Sequence, residues 1–240
     1  METFSCFNQT EARQRANGLL CRFLEKTKTS GTPLLLLLSG GSSFTLLWGI
    51  DRSLLGPHVT ISTLDERYSK DVKVNNFAQL QQAEFYAEAI VAGSSYIDTC
   101  VQEGETLERL ATRFEAELKE WRRKNKQGFV FATMGIGKDG HTAGIMPFPE
   151  NPKRFTELFE NERRWVASYD AGGKSFHPFR VTVNTTFLRN EVSTALVFAG
   201  GSEKENALRR VFFGEGTSAE TPARILREMK EVTLFYWETG

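Results

Sequence analysis

Apolar positions along the chain fall into two alternating patterns. Residues 10–27 carry Ala16, Leu19, Leu20, Phe23 and Leu24 at helical spacing, behind Thr10 as a candidate cap and ahead of the breaker Ser30-Gly31-Thr32-Pro33. This predicts an amphipathic helix. Leu34–Leu38 is a short continuous apolar run between Pro33 and Gly40-Gly41, the pattern of a central parallel strand buried on both faces. The alternation continues with a strand at Val59–Leu64, a helix over 75–90, a charged helix over about 104–125 and a buried strand at Gly128–Met134. In the second half, strands are expected at Arg164–Tyr169, Arg180–Thr186 and Ser193–Ala199, then a helix from Ser202 to Phe213, a shorter one near 222–230 and a strand at Val232–Trp237. Strands alternating with helices predict an α/β fold with a mostly parallel sheet. The proline-rich stretch 147–153 reads as a surface loop, and the absence of repeats or linkers assigns residues 1–240 to a single domain.

Composition narrows the function classes. With 40% hydrophobic and 25% charged residues, the chain is neither disordered nor collagen-like. Thirty basic residues balance thirty acidic ones, so there is no broad electrostatic footprint for nucleic acid or an anionic membrane, and cations that matter must gather in a pocket. The expected partner is a small molecule. Apolar runs such as Leu34–Leu38 fall far short of the roughly 20 residues a membrane helix needs. Residues 1–20 hold Glu2 and Glu11 without an apolar h-region, so no signal peptide is expected. Cys6, Cys21 and Cys100 suit neither a zinc site nor a disulfide framework and read as reduced thiols of a cytoplasmic protein.

Three loops sit where predicted strands end. Ser39-Gly40-Gly41-Ser42-Ser43 follows the leucine run, and glycines there let backbone N–H groups approach an anion. It lacks the lysine of a P-loop, and a serine-capped turn is the plainer alternative. Asp65-Glu66-Arg67 follows Val59–Leu64, at the carboxyl edge where open parallel sheets bind ligands, although a solvated charge cluster would look the same. Gly135-Ile136-Gly137-Lys138-Asp139-Gly140-His141-Thr142 formally matches a dinucleotide fingerprint, but Pro147, Pro149 and Pro152 interrupt the helix that fingerprint requires. His141 is the candidate base. His58 and His177 each adjoin a proline, whereas His141 lies in a glycine-rich loop with Asp139 two residues away to set its tautomer. A structural histidine satisfying loop backbone is the alternative. Three scattered histidines make no metal-ligand set. Arg180 and Lys204, near other predicted strand ends, supply bidentate and compact cations that suit a phosphate.

Together these segments resemble the 6-phosphogluconolactonase family, within the group that includes glucosamine-6-phosphate deaminases and isomerases. The resemblance spans nearly the whole chain and rests on an ordered set: Ser-Gly-Gly-Ser at 39–42, Leu-Asp-Glu-Arg at 64–67, Gly-x-Gly-x-Asp-Gly-His-Thr-Ala at 135–143, Pro-x-Arg-Val-Thr at 178–182, Gly-x-x-Lys at 201–204 and Pro-Ala-Arg-Ile-Leu at 222–226. It implies a Rossmann-like three-layer sandwich with the site at the carboxyl ends of the strands. Deaminases of the group resemble Asp-Gly-His followed by a segment ending Asn-Glu-Pro; here Met146 stands where that Glu would, and His141 through Pro147 is similar to the lactonase form. Ser43 replaces a more usual Thr and Gly144 a Ser, and Tyr68–Asn76 departs from the family's loop, with Asn75-Asn76-Phe77 standing in for its end.

The resemblance implies hydrolysis of a phosphorylated sugar lactone, 6-phospho-D-glucono-1,5-lactone, without metal or cofactor. His141 and Asp139 are the expected catalytic pair, and Ser39, Gly40, Gly41, Ser42, Asp65, Arg67, Gly137, Arg180 and Lys204 the expected substrate contacts. The alternatives are a deaminase or isomerase, and a non-catalytic sugar-phosphate-binding protein.

Overall fold

The computed structural model describes residues 1–238. Its strands are β1 (Glu2–Ser5), β2 (Leu34–Leu38), β3 (Val59–Thr63), β4 (Asp65–Arg67), β5 (Ser95–Tyr96), β6 (Phe129–Met134), β7 (Val166–Asp170), β8 (Phe179–Val183), β9 (Thr194–Gly200) and β10 (Glu231–Trp237). Helices are α1 (Gln9–Ser30), α2 (Asn76–Gln81), α3 (Glu84–Val91), α4 (Leu107–Lys124), α5 (Pro152–Phe159), α6 (Thr185–Asn190) and α7 (Glu205–Phe213). Seven strands pair in the order β1-β10-β9-β6-β2-β3-β5, every neighbour parallel. The α/β expectation holds, with helices on both faces.

The leucine run explains the layering. Successive side chains on a strand point to opposite faces. Leu34, Leu36 and Leu38 accordingly join one core with Ala12, Ala16, Leu20 and Leu24 of α1 and with Phe77, Leu80 and Phe85 of α2 and α3. Leu35 and Leu37 enter the other core, with Leu110, Phe114 and Leu118 of α4. Each fully buried leucine contributes roughly 1.5–3 kcal/mol by leaving water, so a strand that feeds two cores is central by energetics as well as position.

A second sheet was not anticipated. β4, β8 and β7 form a three-stranded antiparallel sheet, packed on the α4 side of the molecule. Thus the expected strands at 164–169 and 180–186 exist but do not extend the central sheet. The second of them stops at Val183, because Asn184 turns the chain and caps α6 by accepting from the Phe187 amide at 2.8 Å. Other boundaries shift for similar local reasons. Asn8, not Thr10, caps α1, accepting from Glu11 N at 2.9 Å. Gly31 ends that helix in the left-handed region, at φ 65°, as the breaker predicted. The helix expected over 75–90 is two, divided at Gln82-Ala83. Within the proline-rich stretch, Asn151 caps α5 and Pro152 opens it, the first-turn position where a missing N–H costs nothing. The short strands β1 and β5 gave no apolar signal.

Candidate active site

The chain leaves β2 toward β3 on one side, while β6 flanks β2 on the other. Such a reversal of strand order opens a crevice beyond the carboxyl ends of the strands. A cavity of about 310 Å³ lies there, lined by the loop after β2, by Asp65 and Arg67 of β4, by the loop after β6, by Arg180 of β8 and by Lys204 after β9. Segments far apart in the chain therefore converge. Of the expected site residues, all but Asp139 line this cavity, and Asp139 stands directly behind one that does.

The histidine pair is built by loop geometry. His141 Nδ1 lies 2.6 Å from Asp139 Oδ1, and the same oxygen accepts the His141 amide at 3.1 Å. A carboxylate only accepts, so Nδ1 carries a proton toward Asp139, on an imidazole that borders the cavity. Half-burial works to raise the Asp139 carboxyl, but the neighbouring imidazole outweighs it and holds the acid below its ordinary range. Gly137 makes the arrangement possible: a Cβ there would lie 2.1 Å from His141 Nδ1. Its amide is not a free donor, since it binds the His141 carbonyl at 2.9 Å.

The following turn holds the opposite wall. Ala143 at φ 48° and Gly144 at φ 69° form a tight reversal, closed by Ile145 N donating to the Thr142 carbonyl at 2.8 Å. Among the described residues, Ala143 is the one non-glycine residue held in the left-handed region, a conformation that costs of order 1–2 kcal/mol. Buried hydroxyls hold it there, Thr182 donating to the Ala143 carbonyl and Tyr169 to that of Gly144. Asp65 packs directly beneath Gly144, where a Cβ would come within 2.5 Å of it.

β4 sorts its charges by face. Asp65 and Arg67 point to the cavity, while Glu66 turns inward and accepts from the amides of Arg67 at 2.8 Å, Asn76 at 2.5 Å and Phe77 at 2.9 Å and from the Thr99 hydroxyl at 2.9 Å. Burial pushes the Glu66 carboxyl up to about 8, against the pull of those donors. Arg67 stands directly across from Arg180 in the β4–β8 ladder. Like charges in that position repel. Asp65 offsets the pair by accepting from Arg180 at 3.2 Å, with both side chains only 9% exposed. Arg180 is therefore held by a buried counter-ion and by Ser175 Oγ at 3.2 Å, which fixes its guanidinium at the cavity edge.

On the facing side, Gly41–Leu47 is a 3₁₀ turn whose first amides have no side-chain cap. The Ser39 amide, by contrast, is committed to the Thr133 carbonyl at 3.2 Å and hydroxyl at 3.1 Å. Burial holds the Lys204 ammonium below its ordinary value, against a smaller pull from Glu203. The cavity thus gathers free amides, two guanidiniums and an ammonium, a surface that favours an anion with several oxygens. Among the described residues, no three His, Cys, Asp or Glu side chains converge as a metal site. Sequence reasoning missed Asn76, which lines the cavity at 1% exposure.

Residues 8–235 match the family described as glucosamine-6-phosphate isomerases/6-phosphogluconolactonase. The chain belongs to this family. Among solved structures, 6-phosphogluconolactonase from Plasmodium vivax superposes with a TM-score of 0.75 at 15% identity, covering 99% of this chain and 91% of that one. The Trypanosoma brucei 6-phosphogluconolactonase gives 0.75 at 17%, covering 99% and 95%. That from Thermotoga maritima gives 0.71 at 20%, covering 99% of each. No curated protein matches the chain. The family fold is thus shared end to end, and within it the cavity at the β2/β6 crevice is where this member's charged and glycine-rich loops meet.

Proposed function

We propose that this protein hydrolyses a phosphorylated sugar lactone, 6-phospho-D-glucono-1,5-lactone, to 6-phosphogluconate. The observation that carries this reading is the His141–Asp139 pair, 2.6 Å apart, facing the same cavity as the uncapped glycine loop and three cations. The phosphate binds the backbone of the 39–43 loop with Arg180 and Lys204, and this anchoring presents C1 to the imidazole. His141 Nε2 takes a proton from water as the water oxygen bonds to C1, and the resulting imidazolium returns it to the ring oxygen as the C1–O bond breaks. A positioned general base of this kind contributes ~10²–10⁴-fold. Arg67 or a free loop amide faces the developing oxyanion, worth ~10²–10³-fold for a well-placed donor. Asp139 holds the tautomer and stabilises the imidazolium, and an ester needs no further activation.

Lactone hydrolysis is favoured over deamination by Met146. It stands where the deaminases carry a glutamate, and its side chain is 3% exposed in the apolar core, so no carboxylate reaches the cavity from there. The test is the rate of hydrolysis of freshly made 6-phosphogluconolactone, less the spontaneous rate, for the protein and for His141→Asn. We expect acceleration by the first and a loss of at least ~10²-fold in the second. Acceleration kept by His141→Asn removes the base assignment; phosphosugar binding with no acceleration by either replaces the enzyme with a sensor.

A further inference from the structure

Three buried side-chain atoms in the walls of the cavity have no hydrogen-bond partner: Arg67 Nε, Arg180 Nε and Asn76 Oδ1. An unsatisfied buried polar atom costs roughly 1–3 kcal/mol and persists chiefly where something else satisfies it. The two guanidinium nitrogens are donors and suit the anion already placed there. Asn76 Oδ1 is the exception, because it is an acceptor. Its orientation is fixed: Nδ2 donates to the Asp65 carbonyl at 3.0 Å, which a carbonyl oxygen in that position could not do.

The side chain is also held from behind. The Asn76 backbone amide is bound by Glu66, and the residue is 1% exposed. Oδ1 lies against Gly40, where a Cβ would come within 2.2 Å of it, so only glycine at position 40 leaves the oxygen room. It therefore sits between the anion-binding loop and Asp65, beside the path a phosphate-anchored ligand takes toward His141. Neither the dianion of a phosphate ester nor a lactone carbonyl can satisfy an acceptor. A sugar hydroxyl can.

Resting on the lactone reading above, we infer that Asn76 is a specificity-determining residue whose Oδ1 accepts a hydrogen bond from one hydroxyl on the carbon chain of the sugar phosphate. The site then distinguishes a polyhydroxylated phosphate from inorganic phosphate or a simple alkyl phosphate by an unpaired acceptor as well as by cations. Discrimination of this kind is strong because a ligand lacking the hydroxyl leaves the acceptor orphaned in the complex.

The experiment is a binding cycle, independent of turnover. Affinities of inorganic phosphate, 6-phosphogluconate and its 2-, 3- and 4-deoxy analogues are measured by calorimetry for the protein and for Asn76→Ala. We expect one deoxy analogue to bind the unmodified protein roughly 10- to 100-fold more weakly than the parent, a penalty that shrinks to about twofold in Asn76→Ala, with inorganic phosphate affinity changed less than about twofold. If every deoxy analogue binds the unmodified protein as the parent does, the inference is overturned whether or not the variant folds. An equal loss for all ligands in Asn76→Ala, inorganic phosphate included, also overturns it and leaves a structural role. Failure of the unmodified protein to bind any of these phosphates would instead bring down the lactone reading, and the inference with it.

Discussion

His141 and Asp139 were legible in the sequence because their chemistry is rare there: a histidine in a glycine-rich loop, an acid two residues before it. What the sequence did not show is why Gly137 is a glycine. Gly137 is expected as a substrate contact and lines the cavity, and the structure gives it a further task, leaving space for the imidazole with its amide already engaged. Gly137→Ala would drive a methyl group into the ring, so we expect the Nδ1–Asp139 contact to break and turnover of the lactone to fall by ~10²-fold or more, the contribution of a placed base. Steady-state kinetics beside a circular dichroism melt check this; unchanged turnover in a folded variant would refute the packing argument. In the sequence Asn76 reads only as part of the end of an atypical loop. Its role rests on burial and an orphaned atom, both tertiary facts with no signature in spacing.

Among the elements, those with continuous apolar runs were readable and those built from polar residues were not. β2, β6 and β9 declare themselves because a parallel strand buried on both faces reads as a near-continuous apolar run, β10 does so through Leu234–Trp237, and β3 through its β-branched Val59, Thr60 and Ile61. β4 is Asp-Glu-Arg, and nothing in three consecutive charges announces a strand. Its pairing with β8 is set by tertiary contacts, which also explains why the second sheet was invisible. The turn at Ala143-Gly144 depends on the same small sheet. Tyr169 of β7 donates to the Gly144 carbonyl and accepts from Met146 N at 3.2 Å, at 4% exposure. Tyr169→Phe leaves both groups unpaired in the core, and at ~1–3 kcal/mol for each the expected loss of unfolding free energy is about 2–6 kcal/mol. Urea denaturation measures it. A change below ~0.5 kcal/mol, the ordinary scatter of surface substitutions, would show that the turn holds itself.

At the scale of the whole molecule, Glu66 joins the two sheets. Its carboxyl sits on β4, takes donors from α2, and reaches β3 through Thr99, whose hydroxyl pairs with that of Thr63 at 2.8 Å. Its pKa is raised by burial from the ordinary 4.5 to about 8, so between those values the folded protein binds more protons than the unfolded chain. Stability must then fall as pH rises through that window, the reverse of the usual salt-bridged acid. Glu66→Gln removes the titration at the cost of a constant offset. The expected result is that unfolding free energy of the unmodified protein, relative to Glu66→Gln, declines from about pH 4.5 to about pH 8 and is flat beyond it. Parallel pH profiles for the two proteins would exclude the linkage.

The outermost pairing of the large sheet carries a consequence for how the protein is made. β1 binds β10 in register from Glu2 with Thr233 to Ser5 with Tyr236, so two strands far apart in the sequence must find one another. Loop closure on that scale is entropically unfavourable and comes late in folding. Until β1 docks, the edge of β10 stays open to pairing with other chains, so a four-residue strand is what blunts that side of the finished sheet.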